Sequence, residues 1–161
     1  MMHPDRTVPN TPPPHPAAGF TLIELMITLL VIAILSAIAY PIYEHQIVES
    51  RRTEARSALL ELAAREERYY ATQNAYTTSA SQLGYTGSWP IDIGTDQMYE
   101  MTVPVLQTNP PGFLLTAKVV PGSVQQQQDT TCASLSVDSN GAETSTNSGG
   151  TANSPEPGTC W

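Results

Sequence analysis

The chain has 161 residues, 15 of them acidic against 7 Lys and Arg, for a formal charge of −8; that length allows one ordinary domain. Residues 73–161 carry seven acids (Asp92, Asp96, Glu100, Asp129, Asp138, Glu143, Glu156) against Lys118 alone, a balance that repels phosphate and speaks against nucleic acid as a partner. The histidines (His3, His15, His45) are scattered, no CxxC or Gly-rich phosphate loop occurs, and no helix carries a metal motif, which argues against an enzyme, a cofactor and a metal site.

The first 19 residues, "MMHPDRTVPNTPPPHPAAG", are Pro-rich, polar and without periodicity, and read as unstructured. Residues 20–43, "FTLIELMITLLVIAILSAIAYPIY", are apolar except for Glu24. As a helix, a stretch of that length reaches about 36 Å, enough to cross a hydrocarbon core of ~30 Å. The text that follows, "EHQIVESRRTEAR", has no small-residue cleavage site, so the segment is expected to stay in the mature chain. A carboxylate at the bilayer centre costs about 2.5–3.5 kcal/mol. Near the start of a helix the cost is lower, because the helix amino terminus carries about half a positive charge. A carboxylate that snorkels to the interface is the plain alternative to a functional one.

Pro41 lacks an N–H and crowds the preceding turn, which predicts a kink there. Beyond it, Ala55, Ala58, Leu59, Leu62, Ala63 and Tyr69 recur along one helical face. Glu49 can pair with Arg52 (i, i+3) and Glu61 with Arg65 (i, i+4). The helix is expected to run to about Thr72, giving one helix of roughly 80 Å from Phe20, half a projecting spine and half packed on a sheet. Tyr69 and Tyr70 are assigned to the core beneath the following loop rather than to a recognition surface.

Residues 73–98 are turn-rich and read as a loop. Strand signals follow: 99–106, where Pro104 marks an edge or a strand end; 112–120, with Phe113, Leu115, Ala117 and Val119 on one face; and 132–143, with Ala133, Leu135 and Val137 alternating before an Asn140-Gly141 turn. The run "QQQQ" at 125–128 reads as a solvated loop. The expected fold is α+β, a long N-terminal helix on a three- or four-stranded antiparallel sheet. Cys132 and Cys160, an even pair in a chain with a membrane segment, suggest one disulfide in an oxidising compartment over two unrelated thiols. Closing that loop would contribute roughly 3.5 kcal/mol in the chain-entropy picture.

"GFTLIEL", Gly19 to Leu25, resembles the class III prepilin signal of type IV pilins and pseudopilins. "AYPIYEHQIVESRRTEARSALLELAAREERYYATQNAYTTSASQLGY" and the ending "GTCW" are most similar to PilE-type minor pilins. The resemblance implies a pilin fold and cleavage by a prepilin peptidase between Gly19 and Phe20, with methylation of Phe20. It also implies that Pro41 is the helix-kinking proline, and that Glu24 meets the amino terminus of a neighbouring subunit as a register device. Ala18 stands where relatives carry Lys or Arg, and Arg6 is the only strong base in the leader.

The implied organisation is a cleaved leader over 1–19, a transmembrane and filament-core helix over 20–43, and a globular head over 44–161, with its helix to about 72, its loop at 73–98, and its sheet and disulfide loop at 99–161. The implied function is that of a structural pilus subunit for adhesion, twitching motility or DNA uptake. It would sit in the bacterial inner membrane with its head in the periplasm and then move to the cell surface. Its partners would be other pilin subunits, the prepilin peptidase and the inner-membrane assembly machinery. Arg51, Arg52 and Arg56 after the span would by themselves place the head in the cytoplasm; the disulfide and the resemblance outweigh them. The alternatives are a pseudopilin of a type II secretion system, or a DNA-uptake or adhesin pilin, the latter needing a basic or aromatic patch on the head.

Overall fold

The structure, a computed structural model, describes residues 19–153 and 160–161. The expected leader lies outside them except for Gly19, as does the 154–159 part of the C-terminal loop. The first element, α1, runs Leu22–Gln73 and contains Pro41. The chain divides at that proline into a unit ending at Tyr40 and a unit Pro41–Trp161.

In the first unit every described residue is exposed. An 18-residue window of α1 reaches a mean hydropathy of 2.7 with none of it buried. Leu22, Ile23, Leu25, Met26, Ile27, Leu29 and Leu30 all present large apolar side chains. Helices apolar all round are found only where something else covers them.

In the second unit, α1 buries Val48, Ala55, Leu59, Leu62 and Glu66, positions at helical spacing on one face. They meet a six-stranded antiparallel sheet: β1 Ile91–Ile93, β2 Tyr99–Met101, β3 Val105–Thr108, β4 Pro111–Val119, β5 Ser134–Asp138 and β6 Glu143–Thr146. The order is β1-β2-β4-β5-β6, with β3 paired to β4 alongside β2. Phe113, Leu115, Ala117 and Val119 from β4, Tyr99 and Met101 from β2, and Leu135 and Val137 from β5 join Leu59 and Leu62 in one core. Leu115 faces Val137 and Ala117 faces Leu135, so the period-2 pattern of the sequence is the core itself.

The strand count exceeds the expected three or four, for local reasons. Pro104 cannot donate to a ladder, so the 99–106 stretch breaks into β2 and β3. The nine-residue β4 serves both, β3 at residues 111–114 and β2 at 117–119. β1 lies inside the stretch read as loop; three residues are too few to show a period. β6 follows the Asn140-Gly141 turn, where Gly141 takes φ +78° and Asp138 Oδ1 accepts the N–H groups of Asn140 and Ala142, each at 2.8 Å.

"QQQQ" is a short helix, α2 Val124–Gln128, capped by the Ser123 hydroxyl. Gln125 is fully buried, against the solvated-loop expectation. Tyr70 stacks on Tyr76 at 4.5 Å between ring centroids, and Tyr76 meets Phe113 edge-on at 5.1 Å. The tyrosines at the end of α1 thus serve packing under the 74–90 loop, as the sequence indicated.

Candidate functional site

The N-terminal site begins outside the helix. Gly19 and Phe20 precede α1, and Phe20 is 83% exposed. The Thr21 hydroxyl accepts the Glu24 N–H at 3.2 Å, and the Thr21 carbonyl accepts the Leu25 N–H at 3.2 Å. Thr21 is therefore the N-cap and Glu24 the third helical residue, the spacing of a capping box. The sequence reading missed this cap, although "TLIE" carries its T-x-x-E signature. Its effect is to start the helix immediately after the Gly19-Phe20 peptide and to put the Glu24 carboxylate in the first turn, where the helix macrodipole favours an anion.

The head is organised around a buried carboxylate. Arg52 Nε and Nη2 donate to Asp129 Oδ2 and Oδ1, both at 2.7 Å, and the Asp129 side chain has no exposure. Asp129 also accepts the Tyr99 hydroxyl (3.2 Å), the Gln125 amide (3.1 Å) and the Cys132 N–H (2.9 Å). Burial alone would push its pKa up. The Arg52 guanidinium, the Cys132 N–H and the Tyr99 hydroxyl outweigh burial and hold it below the ordinary range. Burial and the neighbouring Asp129 carboxylate push the Tyr99 phenol well up.

The surrounding cations are similarly engaged. Arg56 donates to the Cys160 carbonyl at 2.7 Å and to Glu49 at 3.0 Å. Arg51 meets Asp96 at 3.3 Å, and the expected pairs Glu49–Arg52 (3.1 Å) and Glu61–Arg65 (2.6 Å) form. Cys132 and Cys160 are joined, and each is held to α1 a second time, through Asp129 with Arg52 and through Arg56. In the sequence Asp129 is one of several scattered acids, Arg51, Arg52 and Arg56 read as topology signals, and only the Glu49–Arg52 pair is foreseeable among their contacts. Nothing local signals a pair 77 residues apart.

A different surface lies at the end of α1. The Arg65 guanidinium sits over the Tyr85 ring, 4.5 Å from its centroid, and Tyr85 lies 6.1 Å from Trp89. Tyr85 and Trp89 are half-buried, and Arg68, three residues beyond Arg65 on α1, is exposed. Among the described residues no group of three or more His, Cys, Asp or Glu could hold a metal ion.

Comparison with known proteins gives two family matches. Residues 41–136 match the family described as "Type IV minor pilin ComP, DNA uptake sequence receptor", and residues 15–40 match the prokaryotic N-terminal methylation motif. The major pilin protein PilA of Myxococcus xanthus is 36% identical over 67 residues, 42% of this chain and 30% of that protein. Fimbrial protein EcpC of Eikenella corrodens is 54% identical over 37 residues, 23% of this chain and 24% of that protein. The matched stretches thus span less than a third of either relative. A solved type IV pilin from Shewanella oneidensis shares 21% identity at a TM-score of 0.44, covering 71% of this chain and 97% of that one.

Proposed function

The chain belongs to the type IV minor pilin ComP family, and on that premise we propose that it is a pilus subunit, held in the inner membrane by residues 20–43 and then carried into a surface filament. One observation bears most of this reading: an apolar helical segment, exposed all round in the isolated chain, whose one charge is Glu24. Such a surface needs lipid first and other helices afterwards, and both are apolar. Removal of residues 1–19 by a prepilin peptidase would leave Phe20 as a methylated amino terminus, and the exposed Gly19-Phe20 peptide outside the helix supports access to that bond. Glu24 would then meet the new amine of a neighbouring subunit. A displaced subunit would leave a charge unpaired in an apolar core, so the pair sets register.

Mass spectrometry of the assembled protein tests this. A chain that starts at methylated Phe20 is the expected result; an intact leader on assembled subunits would refute it. Recovery of the protein in long fibres sheared from cells separates a pilus subunit from a pseudopilin.

A second reading has its own support. The family is described as a DNA uptake sequence receptor, and two features of the head support such a role: Arg65 lies over the Tyr85 ring, next to Trp89, and the exposed Arg68 shares a cleft with Arg65. The acidic balance of residues 73–161 argues the other way, yet net charge does not exclude a local contact. We therefore propose DNA as a ligand of the head. Binding of duplex DNA by the full chain at physiological salt tests it, and the absence of binding would leave the purely structural role.

A further inference from the structure

The head's cations differ in the partners they already hold, and this decides which of them can face a DNA phosphate. Four of the head's basic side chains are committed internally: Arg51 to Asp96, Arg52 to Asp129, Arg56 to Glu49 and Arg65 to Glu61. Arg68 and Lys118 form no ion pair among the described residues. Lys118 on β4 stands opposite Glu100 of β2, whose carboxylate opposes an approaching phosphate. Arg68 instead lines an open cleft of about 370 Å³ with Arg65, Tyr69, Thr72 and Gln82.

The wall of this cleft is preset. Arg65 donates to the Leu83 carbonyl at 2.7 Å and to Glu61 at 2.6 Å, and lies over Tyr85. Gly84 takes φ +80°, and a Cβ there would stand 2.8 Å from Arg65 Nη1, so glycine lets the loop close on the guanidinium. Arg65 is thereby fixed while Arg68 keeps its fork for a ligand, and a guanidinium fork matches phosphate oxygens.

We propose that Arg68, at this cleft, is the principal phosphate contact of the head on duplex DNA, an inference that rests on the DNA reading above. Glu61 and Glu67 flank it on α1, so the electrostatic footprint is small. With one or two phosphates neutralised, log K should fall with log salt at a slope of about −1 to −2, far shallower than for strongly basic DNA-binding proteins.

The test uses the full processed chain in detergent micelles and a pool of fluorescent duplexes of about 40 base pairs with randomised sequence, titrated between about 50 and 200 mM salt. Arg68→Ala should bind about fivefold to tenfold more weakly at ~100 mM salt, with a slope shallower by about one. Arg51→Ala, which removes a cation already paired to Asp96, should bind within about twofold of the unmodified protein. Unchanged binding by Arg68→Ala, or an equal loss in both variants, overturns the assignment while the DNA reading stands. Failure of the unmodified protein to bind any duplex removes both.

Discussion

Arg52 on α1 and Asp129 after α2 form a two-pronged ion pair, with both contacts at 2.7 Å, around a carboxylate that has no solvent exposure. The same carboxylate takes hydrogen bonds from Tyr99 on β2, Gln125 on α2 and the backbone of Cys132. Helix, sheet, α2 and disulfide loop thus share one polar node. A half-satisfied node of this kind is worse than an apolar core, which makes each member costly to remove.

Asp129→Asn should destabilise the head by about 3–5 kcal/mol, because it removes the fully buried, two-pronged partner of Arg52 and leaves that guanidinium only the more exposed Glu49. Chemical denaturation of the full chain in micelles, followed by tryptophan fluorescence, measures this. The pH dependence has a definite sign. Asp129 has a depressed pKa in the folded state, so its contribution is present above the ordinary Asp value of 3.8 and is lost as pH falls through the folded value. In Asp129→Asn this acid-side loss should be reduced. A loss of less than about 1 kcal/mol would show that the pair contributes little beyond its desolvation cost.

Glu66 behaves in the opposite sense. It is fully buried; its Oε2 accepts the Thr77 N–H at 3.1 Å, while its Oε1 has no partner among the described residues. Burial, opposed by the Thr77 N–H and reinforced by Glu67, raises its pKa. A carboxyl raised on folding contributes stability fully below its unfolded pKa, and that contribution is lost as pH rises towards the folded value. Stability should therefore show a component that declines from pH 4.5 upward, and Glu66→Gln should flatten it while keeping an acceptor for Thr77. A pH profile identical in the two proteins would rule out this role.

Replacing Cys132 and Cys160 together by Ser should cost roughly 3.5 kcal/mol if loop closure dominates. The Arg56 bond to the Cys160 carbonyl and the Asp129 bond to the Cys132 N–H remain available in the variant. Near-native circular dichroism with a lowered denaturant midpoint is the expected outcome, and complete unfolding at 25 °C would mean that these polar tethers do not hold the loop unaided.

Glu24→Ala should leave the protein inserted in the membrane, since it removes a charge from an apolar segment. Incorporation into filaments should fall, which quantification of sheared fibres against membrane-bound protein would reveal. Normal incorporation would make the carboxylate incidental to assembly.

Apolar length before Pro41 and helical periodicity after it identified α1 almost to its last residue, strand alternation the buried faces of β4 and β5, and the Asn140-Gly141 turn signal the hairpin, because each rests on neighbours a few positions apart. The pairs Glu49–Arg52 and Glu61–Arg65 were legible for the same reason. β1 and β3 were not, since three or four residues beside a proline carry no period and gain their pairing from β2 and β4. Gln125 looked like part of a solvated glutamine run. Its burial follows from Val48, Tyr99 and Asp129, which surround it and come from distant parts of the chain.

By itself, then, the sequence determined the class of molecule: Gly19, Phe20 and Glu24 at the border of an apolar helix are a local signature, and local signatures need no fold to be read. Tertiary structure alone decided which charges are spent. Arg51, Arg52 and Arg56 look alike in the sequence, yet each is committed to a different long-range partner, and Arg68 forms no such pair among the described residues. Electrostatic pairing depends on distance in space, and a separation of 77 residues along the chain carries no trace of the 2.7 Å contact that folding creates.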